Sequence, residues 1–163
     1  MAPPPPLSLK ARALRWLAQR EHTRAELGRK LRSVQQRSES GASSDDGALG
    51  ADIEPLLDEL EAKGFLSDQR AAESLLAGRG SRLGPLRLRQ LLQAKGVEPD
   101  LLHSTLARSR EGELDRARAA WQSKFDAAAA DPRERARQAR FLAARGFSAE
   151  VISRVLRGGD LTE

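Results

Sequence analysis

One helix-ending phrase occurs twice in this sequence, and its repetition limits what the chain can fold into. The copies span residues 92–106 and 142–156, with the central turns Lys95-Gly96-Val97 and Arg145-Gly146-Phe147. In each copy an apolar helix ends at the basic residue, the glycine supplies a position that tolerates a positive φ, and a second amphipathic segment follows. A repeat of this size predicts an array of small helical modules rather than one closed globule. Arrays of this kind usually bind something long.

The composition favours an all-α protein. Hydrophobic residues make up 39% of the chain and aromatic residues only 4%, which leaves a thin core of Leu and Ala. Runs of β-branched residues are absent, and no apolar stretch approaches the roughly 18 residues that a membrane span needs. The absence of cysteine excludes disulfides and thiolate metal sites, and the first residues lack the pattern of a signal peptide. We therefore expect a soluble cytoplasmic protein with no membrane contact.

Helix-start signals place nine helices, which group in threes. Ser8, Asp52, Asp131 and Ser148 are predicted N-caps, and Thr23 with Glu26 has the spacing of a capping box. Lys63-Gly64 is a third helix end of the basic-then-glycine kind. The predicted buried face of the last helix is formed by Val151, Ile152, Val155 and Leu156. Residues 35–51 are polar and of low complexity, so we expect a flexible insertion there, inside the first repeat. The predicted organisation is a Pro-rich tail at 1–7, three-helix repeats at 8–64, 65–108 and 109–157, and a C-terminal tail at 158–163.

The net charge is +5, and the basic residues are clustered. Residues 10–37 carry nine basic groups and residues 133–157 carry seven, each with two acids, whereas residues 79–95 carry five basic groups and no acid. Acids concentrate at 39–73. Alternating patches of opposite charge indicate a nucleic-acid backbone or an acidic protein surface as the partner. Simple solvated faces are the competing explanation, because 23 of the 28 basic residues are Arg, a bias that GC-rich coding also produces.

No catalytic or metal-binding pattern is present in the sequence. The two histidines, His22 and His103, fall in different repeats without an Asp or Ser arrangement of the triad type. No phosphate-binding glycine loop and no His or Cys metal spacing occurs. Trp16 and Trp121 lie on apolar helical stripes and are interpreted as core anchors. The sequence therefore predicts a binding protein with no enzymatic activity, no cofactor and no metal.

Five separate motifs resemble the RecX family, the regulators of the RecA recombinase. They occur in the family's order and cover about residues 10–157: Arg20–Leu31, Leu60–Ala72, Arg82–Pro85, Lys95–Val97 and Arg137–Ser148. The resemblance implies an elongated, curved, all-α array of three tandem three-helix repeats. It also implies a protein that lies in the groove of a RecA–single-stranded-DNA filament and restrains ATP hydrolysis, strand exchange and co-protease activity.

Seven basic residues are the predicted contact sites for an acidic filament surface or for DNA phosphates. Three belong to the first repeat and four surround the second: Arg24, Arg29, Lys30, Arg79, Arg82, Arg87 and Arg89. Arg87 and Arg89 diverge by about 200° around a helix, so they cannot line one face. Contact with a protein surface or a phosphate backbone is therefore better supported than the reading of bases.

Two other functions are open on the sequence alone. The same arginines could bind single-stranded or duplex DNA directly and without sequence specificity. Alternatively, the acidic helix at 52–63 could make the protein a structural adaptor for a basic partner. No heptad seam or large unsatisfied apolar stripe demands a dimer, so a monomer is expected.

Overall fold

The protein is all-α throughout the part of the chain that the computed structural model describes, residues 7–40 and 52–158. These residues form nine α-helices and no strand, as predicted, and a 3-10 helix at Arg79–Arg82 precedes the fifth α-helix. The α-helices are α1 (Leu9–Gln19), α2 (Arg24–Ser40), α3 (Ile53–Ala62), α4 (Asp68–Ala77), α5 (Pro85–Ala94), α6 (Pro99–Arg110), α7 (Glu113–Gln122), α8 (Pro132–Ala144) and α9 (Ala149–Gly158). The predicted tails at 1–6 and 159–163, and residues 41–51 of the predicted insertion, lie outside the described residues.

The helices begin where their capping residues predict. First-turn amides of α1, α3, α8 and α9 donate hydrogen bonds to the side chains of Ser8, Asp52, Asp131 and Ser148. At α2, Thr23 forms one half of the predicted capping box, because its Oγ1 accepts a hydrogen bond from the Glu26 amide at 3.1 Å. The Glu26 carboxylate contacts Arg20 and Lys95 and leaves the other half unformed.

Three glycines end helices as the basic-then-glycine pattern predicts. Gly64, Gly96 and Gly146 have φ angles of +74°, +73° and +81°, and no other described residue has a positive φ. Each follows a basic residue at the end of α3, α5 or α8. Because a side chain is strained in this conformation, glycine is the residue that lets the chain reverse there.

Helix α2 continues six residues into the segment predicted to be flexible. Residues 35–40 are helical, which corrects the prediction for that part of 35–51. Gln, Arg and Glu are good helix formers, and contacts one turn apart support the extension. Arg37 donates a hydrogen bond to Ser33 Oγ at 2.8 Å, and Ser38 donates one to the Val34 carbonyl at 3.2 Å. Composition alone indicated a loop because it contains no information about hydrogen bonds between residues one helical turn apart.

The described helices form two compact units. The first contains α1, α2, α3, the start of α4 through Ala71 and the turn Lys95–Val97, and the second contains the remaining helices. The core of the first unit is aliphatic and comes mainly from α1, α2 and α3. It consists of Leu9, Ala13, Leu27, Leu31, Ile53, Leu57, Leu60 and Leu66. The boundaries of the three repeats stay a prediction, because the two compact units do not coincide with the predicted groups of three helices.

The second unit has its main core between α7, α8 and α9. Its buried members are Ala117, Ala120, Leu142, Phe147, Val151 and Val155. Trp121 packs against this core, and its Nε1 donates a hydrogen bond to Gln138 Oε1 at 2.9 Å. Gln138 is 2% exposed, so this bond pairs a buried amide with the indole and fixes the tryptophan as a core residue.

The three glycine turns differ in what covers them. In the first unit the turn at Gly96 packs on the start of α2, where Thr23 Oγ1 donates a hydrogen bond to the Lys95 carbonyl at 2.5 Å. In the second unit Phe147, which follows Gly146, is 2% exposed. At the turn of Gly64, Arg70 Nη2 donates hydrogen bonds to the carbonyls of Gly64 and Phe65 at 2.9 and 3.2 Å, but Phe65 itself is 51% exposed.

Candidate protein-binding surfaces

The described residues contain no arrangement that suggests catalysis. They include no cluster of three or more His, Asp or Glu side chains that could hold a metal ion. None of the helices described is long and apolar enough to cross a membrane. The candidate sites among the described residues are charged surfaces and grooves.

The first candidate surface is basic and belongs to the second unit. We call Arg79, Arg82, Arg87 and Arg89 the α5 surface; the first two lie on the 3-10 helix and the others on α5, where Arg87 and Arg89 occupy different faces of the helix. All four side chains are exposed. The Arg87 side chain donates a hydrogen bond to Gln90 at 2.9 Å. The side chains of the other three arginines make no hydrogen bond or ion pair with any described residue. Three of the four charges are thus available to a partner.

The backbone that carries the α5 surface is fixed at its centre. Leu88 and Leu92 are buried at 1% and 0% exposure, which orients the intervening Arg89 towards solvent. The amide of Gly84, which directly precedes α5, donates a hydrogen bond to the Arg145 carbonyl at 2.8 Å. Tertiary contacts therefore hold the start of α5 in place.

A second basic surface lies in the first unit, in a groove between α1 and α2 of about 570 Å³. Arg29 and Lys30, both predicted from the sequence, line it, and the Lys30 Nζ lies 4.8 Å from the centre of the Trp16 ring. Arg12 and Arg37 line the same groove but were not predicted. The sequence did contain a signal for Arg37: it is seven residues after Lys30 on α2, and this spacing places the two side chains on the same face of the helix.

Arg24 differs from the other predicted residues because carboxylates of its own unit surround it. Its guanidinium lies within 2.9 Å of Glu54 and 2.8 Å of both Asp58 and Glu61. The hydrogen bonds that Arg24 donates to Glu54 and Asp58 raise its pKa above the usual range. Its backbone amide also donates a hydrogen bond to Asp68 at 2.6 Å. A role for Arg24 in partner binding stays a prediction, and the contacts observed are structural.

The acidic face of α3 is neutralised in a similar way. Lys10 and Lys63 contact Glu59 at 2.7 and 2.6 Å, and Arg32 contacts Glu54 at 3.0 Å. Basic residues of the same unit therefore already pair with the carboxylates of α3 that a basic partner would need. This weakens the case for an adaptor that recognises a basic partner through the segment 52–63.

A partly buried ionic cluster joins α2 to the turn at Lys95. Glu26 contacts Arg20 at 2.5 Å, Lys95 at 2.7 Å and His22 Nδ1 at 3.4 Å. Burial alone would raise the pKa of Glu26, but hydrogen bonds from Arg20 and Lys95 lower it to about 2. His22 is 1% exposed, and burial followed by the charge of Arg20 lowers its pKa. The cluster therefore has a structural role in the first unit. The other histidine, His103, is exposed on α6.

Three arginines that the sequence analysis did not single out line a groove between α8 and α9. Arg135 and Arg140 come from α8, and Arg157 comes from α9. The sequence signal was the basic run at 133–157, which carries seven basic groups. That count did not reveal which of the seven share a surface, because this depends on how α8 and α9 pack.

Comparisons with known proteins agree with this helical architecture. Residues 67–106 match the second three-helix domain of RecX, and residues 111–156 match its third three-helix domain. A regulatory protein RecX from Leptothrix cholodnii is 46% identical over 156 residues, which cover 96% of this chain and 92% of that protein. A regulatory protein RecX from Ralstonia nicotianae is 45% identical over 158 residues, with 97% and 92% covered.

The fold is also similar to a solved structure. The crystal structure of RecX from Lactobacillus salivarius superposes with a TM-score of 0.68, covering 94% of this chain and 96% of that one. The two chains are 19% identical, so this likeness bears on the fold alone.

Proposed function

Because the chain belongs to the RecX family of regulatory proteins, we propose that it regulates the RecA recombinase. In this proposal it binds in the groove of the RecA–single-stranded-DNA filament and acts mainly as a negative modulator. Binding there restrains ATP hydrolysis, strand exchange and co-protease activity, and so limits homologous recombination, DNA repair and the SOS response. The protein acts in the cytoplasm as a monomer and without chemistry of its own.

The α5 surface is the observation that carries this proposal beyond family membership. Arg79, Arg82 and Arg89 are exposed and make no ion pair with the described residues, so binding a partner does not require them to leave existing contacts. Complementary charge across an interface speeds association and fixes register. An acidic surface that repeats along a filament would meet these arginines at each subunit.

Co-sedimentation with preformed RecA–single-stranded-DNA filaments tests the proposal. We expect Arg82→Glu/Arg89→Glu to weaken retention about tenfold or more, since two unpaired charges are reversed. The control, Arg110→Glu/Arg154→Glu, makes the same change of charge at exposed arginines outside the α5 surface. Circular dichroism of both variants checks that helicity is unchanged. Equal retention of the two variants would remove the α5 surface from the proposal.

Direct DNA binding is the second candidate function, and the groove between α1 and α2 is the observation that favours it. Four basic side chains and one acid, Glu26, line this groove beside Trp16, and the excess of positive charge next to an aromatic ring suits a phosphate backbone with a stacked base. Binding to bare single-stranded DNA would then weaken with salt, with a logarithmic slope near −0.7 for each neutralised phosphate. Retention on filaments with no retention on bare DNA at the same salt would reject this candidate.

A further inference from the structure

The groove between α8 and α9 has an apolar floor and a basic rim. It lies wholly within the second unit and has a volume of about 500 Å³. Ala139, Ile152 and Leu156 contribute to the floor, and Arg135, Arg140 and Arg157 form the rim. None of the described carboxylates lines it.

The floor is open because two apolar residues of α9 stay partly exposed. Val151 and Val155 are the buried residues of α9, whereas Ile152, which packs against the core with one side, and Leu156 remain partly exposed, although the sequence pattern places them inside. Leu60 and Leu106 occupy the position of Leu156 in the first and second predicted repeats. Both are core residues, at 1% and 5% exposure. A partly exposed apolar pair beside charged side chains is typical of an interaction surface.

Two of the three rim arginines have no described partner for their positive charge. The side chains of Arg140 and Arg157 make no hydrogen bond or ion pair with any described residue. Arg135 donates a hydrogen bond to the Leu156 carbonyl at 3.4 Å and so ties α8 to the end of α9. Charge and apolar surface thus lie side by side in one groove, with two arginines ready to pair with anions.

We propose that this groove binds an acidic amphipathic peptide segment of a partner protein. Such a segment would place two aliphatic side chains, one helical turn apart, against Ile152 and Leu156, while its carboxylates pair with Arg140 and Arg157. Helical peptides in apolar grooves are recognised in this way, by anchors at i and i+3 or i+4. A nucleic acid fits less well, because the lining contains no aromatic ring on which a base could stack.

The proposal does not depend on filament binding through the α5 surface. The two surfaces share no residue, so a protein with Arg82 and Arg89 reversed would still bind the peptide. Conversely, failure of the peptide to bind would leave the filament proposal unaffected.

Fluorescence anisotropy with labelled synthetic peptides tests the groove on the full chain. The probe is a 16-residue helical peptide with leucines at i, i+4 and i+8 and with Glu or Asp on its other face. One comparison peptide has the leucines replaced by Ser, and the other has the acids replaced by Lys. We expect saturable binding of the first peptide only. Equal binding of the Ser peptide would overturn the role of the floor.

Substitutions then locate the site. We expect Ile152→Ser/Leu156→Ser and, separately, Arg140→Glu each to weaken binding of the acidic peptide about tenfold. Arg154→Glu makes the same charge change on α9 but does not line the groove, and its binding should match that of the unmodified protein. Circular dichroism verifies that each variant is folded. Equal weakening by Arg140→Glu and Arg154→Glu would show non-specific charge attraction and would overturn the proposal.

Discussion

The amide of Gly84 donates a hydrogen bond to the carbonyl of Arg145 at 2.8 Å, although 61 residues separate them in the chain. In the same contact, the Leu86 amide donates a second backbone hydrogen bond to the Gly146 carbonyl at 3.2 Å. Two backbones approach this closely because neither glycine has a side chain. Glycine at position 84 is thus required by packing, since a Cβ there would overlap the backbone of Gly146 and Phe147.

Gly84→Ala should destabilise the second unit by about 1–3 kcal/mol, because the new methyl group forces the backbone at Gly146 to move. Gly158→Ala is the matched control, since a Cβ at that position meets no atom within 4 Å. Urea denaturation followed by circular dichroism measures both variants. Equal stability of the two proteins would contradict the close approach.

Phe147 and Phe65 follow equivalent glycines but differ in burial, at 2% and 51% exposure. We expect Phe147→Ala to cost about 3–5 kcal/mol, through lost burial and the cavity left behind. Phe65→Ala should change the free energy of unfolding by less than about 0.5 kcal/mol. Thermal and urea unfolding compare the pair directly, and similar losses would mean that the Gly64 turn is covered in solution.

Acid should destabilise the first unit through His22. Its folded-state pKa is lowered from the ordinary value of 6.5, so protons bind the unfolded chain first as the pH falls below 6.5. Stability is therefore complete above pH 6.5 and is lost as the pH falls towards the folded-state pKa. His22→Gln should remove this loss, whereas His103→Gln should retain it. Unfolding followed by Trp16 fluorescence, in a Trp121→Phe background, reports on the first unit.

Glu26 should add a second loss at lower pH. Its folded-state pKa is about 2 against an ordinary value of 4.5, so its contribution is complete above pH 4.5 and disappears as the pH falls to about 2. Glu26→Gln should cost about 1–3 kcal/mol at pH 7, because Arg20 and Lys95 lose their charged acceptor. The difference from the unmodified protein should vanish near pH 2. A cost that is independent of pH would contradict this assignment.

Arg24→Ala should lower stability by about 1 kcal/mol, because it removes one cation from three partly exposed carboxylates. Arg15→Ala is the control, since Arg15 is exposed and makes no ion pair with a described residue. The same two variants in filament co-sedimentation separate structure from binding. If Arg24→Ala lost affinity without losing stability, the predicted partner contact would replace the structural role.

Local sequence determined the helices of this protein and the points at which they reverse. Ser8, Asp131 and Ser148 act on amides two or three residues away, and Gly64, Gly96 and Gly146 act on their own backbone angles. Such effects require no knowledge of distant residues, which is why the predicted caps and turns were confirmed. The family motifs were likewise readable, because they are short and occur in order.

Only the tertiary structure decided which charged and apolar side chains are available to a partner. The sequence placed Arg24 with Arg82 as equivalent candidates, yet packing surrounds Arg24 with acids from α3 and leaves Arg82 without a partner among the described residues. It placed Ile152 inside with Val151, yet α9 packs through Val151 and leaves Ile152 partly exposed. Neighbours one position apart on a helix point about 100° apart, so a small rotation of the helix decides which of them is buried.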